Sequence, residues 1–298
     1  MGTQARPGEK VILALHGGDY TRLSGHPRDT PAEIARGLLK YVRDVDRVFV
    51  PDYRLSSAEP LEVLHPFPTA LLDALTSYLY LVKSLGFSPA DIILEGDSAG
   101  GNLAIALTRY LVEYRGCVGP LTPPKALLLL SPWADVSCSH NGIPGGSATT
   151  SVESDILGPP TETLEYPLRA LTGPHGLDAA ETNPYISPAS LHPDLVVDFK
   201  GFPRTFINAG GAEVFADQIH TLRDRMMKDL GQGNGVLEEE GKVRYHEAPD
   251  AVHDYLLFPW HEPEVSDTLK VIADWISLPS RLSSPVTLVN HASPTVVM

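Results

Sequence analysis

Short apolar runs alternate with longer helical patterns along most of this chain of 298 residues. The apolar runs predict strands at residues 10–15, 47–50, 91–94, 125–130, 204–207 and 242–246. Helical patterns cover residues 30–45, 68–85, 102–114, 212–230 and 263–276. Strands separated by helices predict an α/β fold with a mostly parallel central sheet and helices on both faces. Ligands of such sheets bind beyond the carboxyl ends of the strands, so polar motifs at those ends form the candidate site.

The charge balance excludes several classes of partner. The chain has 23 Lys and Arg residues against 37 Asp and Glu residues, which gives a net charge of −14. A protein that binds the phosphate backbone of nucleic acid needs a basic face, so nucleic acid is not an expected partner. An anionic membrane surface is disfavoured for the same reason.

Cysteine content and apolar runs bear on the compartment. Two cysteines, Cys117 and Cys138, allow at most one disulfide, so the chain is not a disulfide scaffold. No apolar run approaches the roughly 20 residues of a membrane span, and the longest runs are residues 11–15 and 126–130. No N-terminal signal segment with a small-residue cleavage site is evident. We therefore expect a cytoplasmic protein without a membrane span.

The sequence Gly-Asp-Ser-Ala-Gly at residues 96–100 fits the G-x-S-x-G nucleophile elbow. A strand is predicted before it and a helix after it, which is the context that the motif requires. In such an elbow the serine sits on a strained turn that exposes its Oγ at the top of the sheet. Ser98 is therefore the candidate nucleophile. The alternative is a glycine-rich turn that only packs.

A second motif, His-Gly-Gly-Asp at residues 16–19, follows the first predicted strand. A tetrahedral intermediate carries negative charge on oxygen, and fixed backbone N–H groups stabilise that charge. We assign these oxyanion donors to Gly17, Gly18 and Ala99, since glycines allow close approach and Ala99 begins a helix whose dipole favours an anion. The alternative is an ordinary turn at the end of a strand.

Further motifs follow in order: Asp-Tyr-Arg-Leu at 52–55, His-Pro-Phe-Pro-Thr-Ala at 65–70, Ser-Pro-Trp-Ala-Asp at 131–135, Asn-Pro-Tyr-Ile-Ser-Pro at 183–188, and Phe-Pro at 202–203. With the two motifs above, this set resembles the hormone-sensitive-lipase-like carboxylesterases of the α/β-hydrolase fold over residues 10–260. The resemblance implies a cap insertion and the hydrolysis of acyl esters without a cofactor.

Three departures from that family pattern carry expectations of their own. Asp19 stands where the family often has a third glycine, and its carboxylate would oppose an oxyanion unless it points away or pairs. The segment 56–64 is longer than usual. The oxyanion motif begins at residue 16, which leaves out the family's N-terminal strands. A smaller sheet and a more open site are expected, and a second subunit of a homodimer is one way to close it.

The base and the acid should follow the serine in the order Ser, acid, His. His253 lies in the sequence Val-His-Asp-Tyr at 252–255, which resembles the family's histidine loop, and His246 is the alternative. Glu213 stands closest to the end of the strand at 204–207, where the family usually has aspartate. Asp217, one helical turn further, is the second candidate for the acid. Both acids also suit a helix start, where the dipole favours negative charge.

Residues 136–200 break the alternation of strands and helices. We interpret them as an insertion above the sheet that acts as a lid, with short helices near 151–157 and 161–171; the alternative is a surface excursion without a binding role. Residues 1–278 are predicted to form one domain, and 279–298 a poorly ordered tail. Expected pocket-lining residues are Tyr20, Trp133, Phe215 and Leu256. No metal site is predicted, because the H-E-x-x-H pattern is absent.

These features predict a serine hydrolase that acts on a small-molecule ester with a small or medium acyl group. Ser98 would attack the carbonyl, His253 would accept its proton, and Glu213 would orient the imidazole. Two alternatives stay open. The same residues could act on an amide or formamide, in acyl transfer or in other natural-product chemistry, or the fold could serve as a small-molecule receptor without turnover.

Overall fold

The structure, a computed structural model, describes residues 2–117 and 122–278. The predicted tail, residues 279–298, lies outside the described part of the chain. In the described residues no helix is both long and apolar enough to cross a membrane.

A parallel sheet forms the centre of the molecule, as the alternation of strands and helices predicts. Over the described residues it has six strands in the order β2-β1-β3-β4-β5-β6, and every neighbouring pair is parallel. The prediction of an α/β fold is confirmed. The strands are β1 (Lys10–Leu15), β2 (Val45–Phe49), β3 (Ile92–Asp97), β4 (Ala126–Leu130), β5 (Arg204–Gly210) and β6 (Val243–Ala248).

Helices connect the strands and cover both faces of the sheet. Among the described residues, five helices are long enough to pack along it: α1 (Ala32–Tyr41), α2 (Thr69–Leu79), α3 (Ala99–Glu113), α8 (Ala216–Leu230) and α9 (Glu264–Ser277). Four shorter helices lie within residues 136–200: α4 (Ser147–Thr150), α5 (Pro160–Thr163), α6 (Glu165–Thr172) and α7 (Gly176–Thr182). The helix expected near 151–157 is wrong, because that segment forms turns after α4.

The two faces of the sheet carry two separate cores. Alternate residues of β1 point to opposite faces, so Leu13 joins the core under α2, α3 and α8, while Ile12 joins the core under α1 and α9. Both side chains are fully buried. A strand buried on both faces needs a nearly unbroken apolar run, and β1 and β4 show this pattern in the sequence.

Candidate active site

Ser98 lies in the sharp turn between β3 and α3, with a φ of +49°. Close backbone packing fixes this turn. A Cβ on Gly100 would stand 1.8 Å from the carbonyl oxygen of Leu15, and one on Gly96 would stand 2.2 Å from the carbonyl oxygen of Gly100. Only glycine fits at either position, and this accounts for the G-x-S-x-G spacing in physical terms.

Three polar side chains from separate elements meet at the carboxyl ends of the strands. Oγ of Ser98 lies 2.9 Å from Nε2 of His253, in the loop after β6. Nδ1 of the same imidazole lies 2.7 Å from Oε2 of Glu213, in the loop after β5. A hydroxyl, an imidazole and a carboxylate linked in this order can carry out nucleophilic catalysis.

Burial controls the protonation of this group. Glu213 is completely buried, and that burial raises the pKa of its carboxyl to about 7 against the opposing hydrogen bond from His253. Burial alone lowers the pKa of His253, but the carboxylates of Asp254 and Glu213 outweigh it and raise that pKa well above its ordinary value. The other oxygen of Glu213 accepts the N–H of Gly210 at 2.9 Å, which orients the carboxylate toward the imidazole.

The two alternative residues lie away from Ser98. The carboxylate of Asp217 accepts the N–H of Ser147 at 2.7 Å, so it ties the start of α8 to the insertion. Nε2 of His246 lies 3.1 Å from the hydroxyl of Thr268 on α9. Neither side chain reaches Ser98 or His253.

The backbone donors near Ser98 differ in one respect from the expectation. The N–H of Gly17 donates to Oδ2 of the Asp97 carboxyl group at 2.9 Å, so it is not available to an oxyanion. By contrast, the N–H groups of Gly18 and Ala99 donate no hydrogen bond within the described residues. Ala99 is also the first residue of α3, where the backbone N–H has no partner in the helix.

Asp19, the acid beside this motif, has partners of its own. Its carboxylate lies 2.8 Å from the guanidinium of Arg22 and accepts the hydroxyl of Thr21 at 2.6 Å. The charge is therefore paired, which removes the conflict with an oxyanion that the sequence raised.

A cavity of about 250 Å³ opens over Ser98. Trp133 and Phe215 line it as expected, together with apolar residues of the insertion, namely Ile156, Leu157 and Leu164. Tyr20 and Leu256 were also expected to line the pocket, but neither lines this cavity. The Tyr20 hydroxyl donates to Asn102 behind the site at 2.8 Å, whereas Leu256 faces a separate pocket against α1 and α9.

Asp155 is a residue that the sequence did not indicate. One oxygen accepts the N–H of His253 at 3.0 Å, and the other accepts the N–H of Val214 at 2.7 Å. A single carboxylate of the insertion thus holds both loops that carry the imidazole and the buried acid. No local pattern around Asp155 indicates this, since its partners lie 98 and 59 residues away in the chain.

Metal-ligating side chains are not gathered at any point of the described chain. There, no group of three or more His, Cys, Asp or Glu residues is placed to hold a metal ion.

The sequence is similar to those of several known proteins. Residues 12–257 match the family model described as alpha/beta hydrolase fold. The chain is 30% identical to an acetyl-hydrolase of Streptomyces hygroscopicus over 90% of its own length and 74% of that protein. It is 28% identical to the esterase LipU of Mycobacterium tuberculosis, over 90% and 77% of the two chains.

The structure of this chain is also similar to solved structures. A hormone-sensitive lipase from a metagenome library superposes with a TM-score of 0.69 at 26% identity, over 90% of this chain and 78% of that one. An esterase/lipase from an uncultured bacterium gives a TM-score of 0.66 at 29% identity, over 92% and 77% of the two chains.

Proposed function

Because this chain belongs to the α/β-hydrolase family, we propose that it is a serine carboxylesterase for esters with small or medium acyl groups. The observation that carries this proposal is the contact of Ser98 Oγ with His253 Nε2 at 2.9 Å, backed by Glu213 at 2.7 Å. Its relatives include proteins named esterase and acetyl-hydrolase, which supports the same reaction class.

Acylation begins when Ser98 Oγ attacks the ester carbonyl and its proton moves to Nε2 of His253. The imidazolium formed is stabilised by the carboxylate of Glu213 on Nδ1. The N–H groups of Gly18 and Ala99 donate hydrogen bonds to the carbonyl oxygen and stabilise its negative charge. His253 then gives the proton from Nε2 to the leaving alcohol, and the acyl group stays on Ser98.

Deacylation repeats these steps with water in place of the alcohol. Nε2 of His253 takes a proton from the water, whose oxygen attacks the acyl carbon. Collapse of the second tetrahedral intermediate returns the proton to Ser98 Oγ and releases the acid. The same donors, Gly18 and Ala99, serve both intermediates.

The size of the cavity supports the acyl-group preference. Its volume of about 250 Å³ lies at or slightly below the lower end of typical small-molecule sites, roughly 300–1,000 Å³. The apolar side chains of Trp133, Phe215 and Leu164 line it, so it favours an uncharged acyl chain. A long acyl chain would have to leave the cavity.

Labelling with a fluorophosphonate probe, together with turnover of p-nitrophenyl esters of increasing chain length, tests the proposal. We expect wild-type protein to be labelled and to turn over short esters fastest, and Ser98→Ala to lose both. Ser84→Ala removes an exposed serine and should behave as wild type. Folded wild-type protein that neither takes the label nor hydrolyses any ester would overturn the proposal.

A further inference from the structure

Nε2 of His253 has a second neighbour besides Ser98. A carboxylate oxygen of Asp254, the next residue in the chain, lies 3.2 Å from it. Asp254 adopts a left-handed conformation with φ of +50° and ψ of +35°, and this turn brings its side chain back beside the imidazole. The N–H of Asp254 donates to the hydroxyl of Ser131 at 3.2 Å, which holds the turn in place.

The carboxylate of Asp254 lies in a buried environment that screens its charge poorly. The residue is only 7% exposed, and it lines the cavity over Ser98. Its Oδ1 atom is buried and has no hydrogen-bond partner within the described residues. A buried carboxylate is poorly screened by water, so its interaction with a neighbouring imidazole is stronger than on the surface.

We propose that Asp254 is a second acidic partner of His253, acting on the reactive nitrogen and setting the pH range in which Ser98 is activated. This inference rests on the proposed function, because it concerns the same base. An ionised Asp254 favours the imidazolium over the neutral imidazole. It therefore stabilises the cation formed during acylation, and it also keeps a proton on Nε2 of the resting protein.

The two effects act in opposite directions on the rate. Ser98 can be activated only when Nε2 is unprotonated, so a carboxylate that holds the proton there lowers activity at low pH. Once the pH is high enough to remove that proton, the same carboxylate makes His253 a stronger base. Compared with a protein that lacks this carboxylate, Asp254 thus lowers activity at low pH and raises it at higher pH.

Other ionisable groups surround the pair from several elements. Burial raises the pKa of both carboxyls on β3 well above ordinary values, which favours their neutral forms. The carboxylate of Asp155 in the insertion accepts two backbone N–H groups, and Asp19 after β1 is paired with the guanidinium of Arg22. These groups are Glu95 and Asp97 on β3, Asp155 in the insertion, Asp19 with Arg22 after β1, and Glu213 after β5.

Asp254 differs from these groups in touching the reacting nitrogen. Burial raises the pKa of Asp254, and the neighbouring imidazolium opposes that rise. For His253 the sign is the reverse, because burial lowers its pKa while Asp254 and then Glu213 raise it. Both carboxylates favour the protonated imidazole, Asp254 from the side of Nε2 and Glu213 from the side of Nδ1.

Asp254→Asn tests the inference with little risk to folding, since Asn has nearly the same shape and tolerates the left-handed conformation. Asp254→Gly is a second variant that removes the carboxylate at the same backbone angles. Asp250→Asn changes the same charge at an exposed position of the same loop and serves as the matched control. For each protein, kcat/KM for a short p-nitrophenyl ester is measured across pH, and the pKa of His253 by NMR of labelled histidine.

We expect both Asp254 variants to shift the acid limb of kcat/KM, and the pKa of His253, downward by about 1 to 3 pH units. At pH values below the acid limb of the wild type, both variants should have a higher kcat/KM than the wild type. The Asp250→Asn variant should match the wild type. An unchanged pKa of His253 in folded Asp254→Asn and Asp254→Gly would overturn the inference. The NMR titration needs no turnover, so a protein without Ser98-dependent hydrolysis would contradict the proposed function while still testing Asp254.

Discussion

The carboxylate of Asp155 accepts the backbone N–H of His253 at 3.0 Å, across 98 residues of sequence. It also holds the N–H of Val214, the neighbour of Glu213, at 2.7 Å. The segment that departs from the strand–helix alternation therefore contacts both loops at the end of the sheet. Asp155 is a positioning residue in our proposal, because it reaches the reacting atoms only through these loops.

Asp155→Asn should reduce kcat by up to about 10²-fold with a smaller change in KM, since misplacing the base affects the reaction more than binding. An amide accepts on one side only, so one of the two backbone N–H groups loses its partner, at a cost of about 1–3 kcal/mol in stability. Ester kinetics and thermal unfolding measure the two effects. Glu153→Gln, an exposed acid two residues away, is the control, and equal kcat in both variants would exclude the positioning role.

Replacing Glu213 by Gln should lower kcat on the order of 10⁴-fold, because Gln cannot hold the imidazole in the right tautomer or balance its positive charge. The fold should persist, because Gln has the same length and its amide oxygen can still accept the N–H of Gly210. Asp217→Asn, which alters the contact with Ser147 instead, should retain most of the activity. The reverse order of effects would assign the acid to Asp217.

A methyl group at the elbow should strongly destabilise the fold. In Gly100→Ala the added Cβ would stand 1.8 Å from the Leu15 carbonyl oxygen, and backbone cannot move aside as a side chain can. We expect a loss of about 3 kcal/mol or more in stability, at or beyond the upper end of ordinary overpacking. Gly142→Ala, where the added Cβ meets nothing within 4 Å, should unfold at the wild-type temperature. Soluble yield and thermal unfolding compare the two variants.

Shortening Leu164 should widen the range of acyl chains. Leu164 is buried in the insertion and lines the cavity over Ser98, so Leu164→Ala enlarges that cavity and costs about 2–5 kcal/mol in stability. Relative kcat/KM for longer p-nitrophenyl esters should rise by roughly 10-fold or more. Leu177→Ala changes an exposed leucine of the insertion that does not line this cavity. An unchanged chain-length profile in Leu164→Ala would show that the insertion does not limit the acyl group.

Periodicity and spacing were sufficient for the sheet and the family. The central strands β1, β3, β4 and β5 are buried on both faces and are largely apolar, so burial of that kind is visible in the local sequence. The edge strands β2 and β6 are only partly buried and carry charged residues. The elbow around Ser98 is equally local, since Gly96 and Gly100 are dictated by backbone contacts within a few ångström. The predicted α/β-hydrolase resemblance is confirmed by the family match.

Other relationships depend on contacts between distant parts of the chain. That Gly17 donates to Asp97 follows from the packing of β1 beside β3, which brings together groups 80 residues apart. The same holds for Tyr20, which turns behind the site to meet Asn102.

The sequence by itself determined which residues stand at the ends of the strands, because strand ends and glycine turns are local features. Only the tertiary structure decided which of those groups meet. Asp155 reaches His253, Asp217 turns to Ser147, and Asp254 folds back on Nε2. Hydrogen bonds between loops depend on how the sheet and the insertion pack, and nothing in the nearby sequence records that packing.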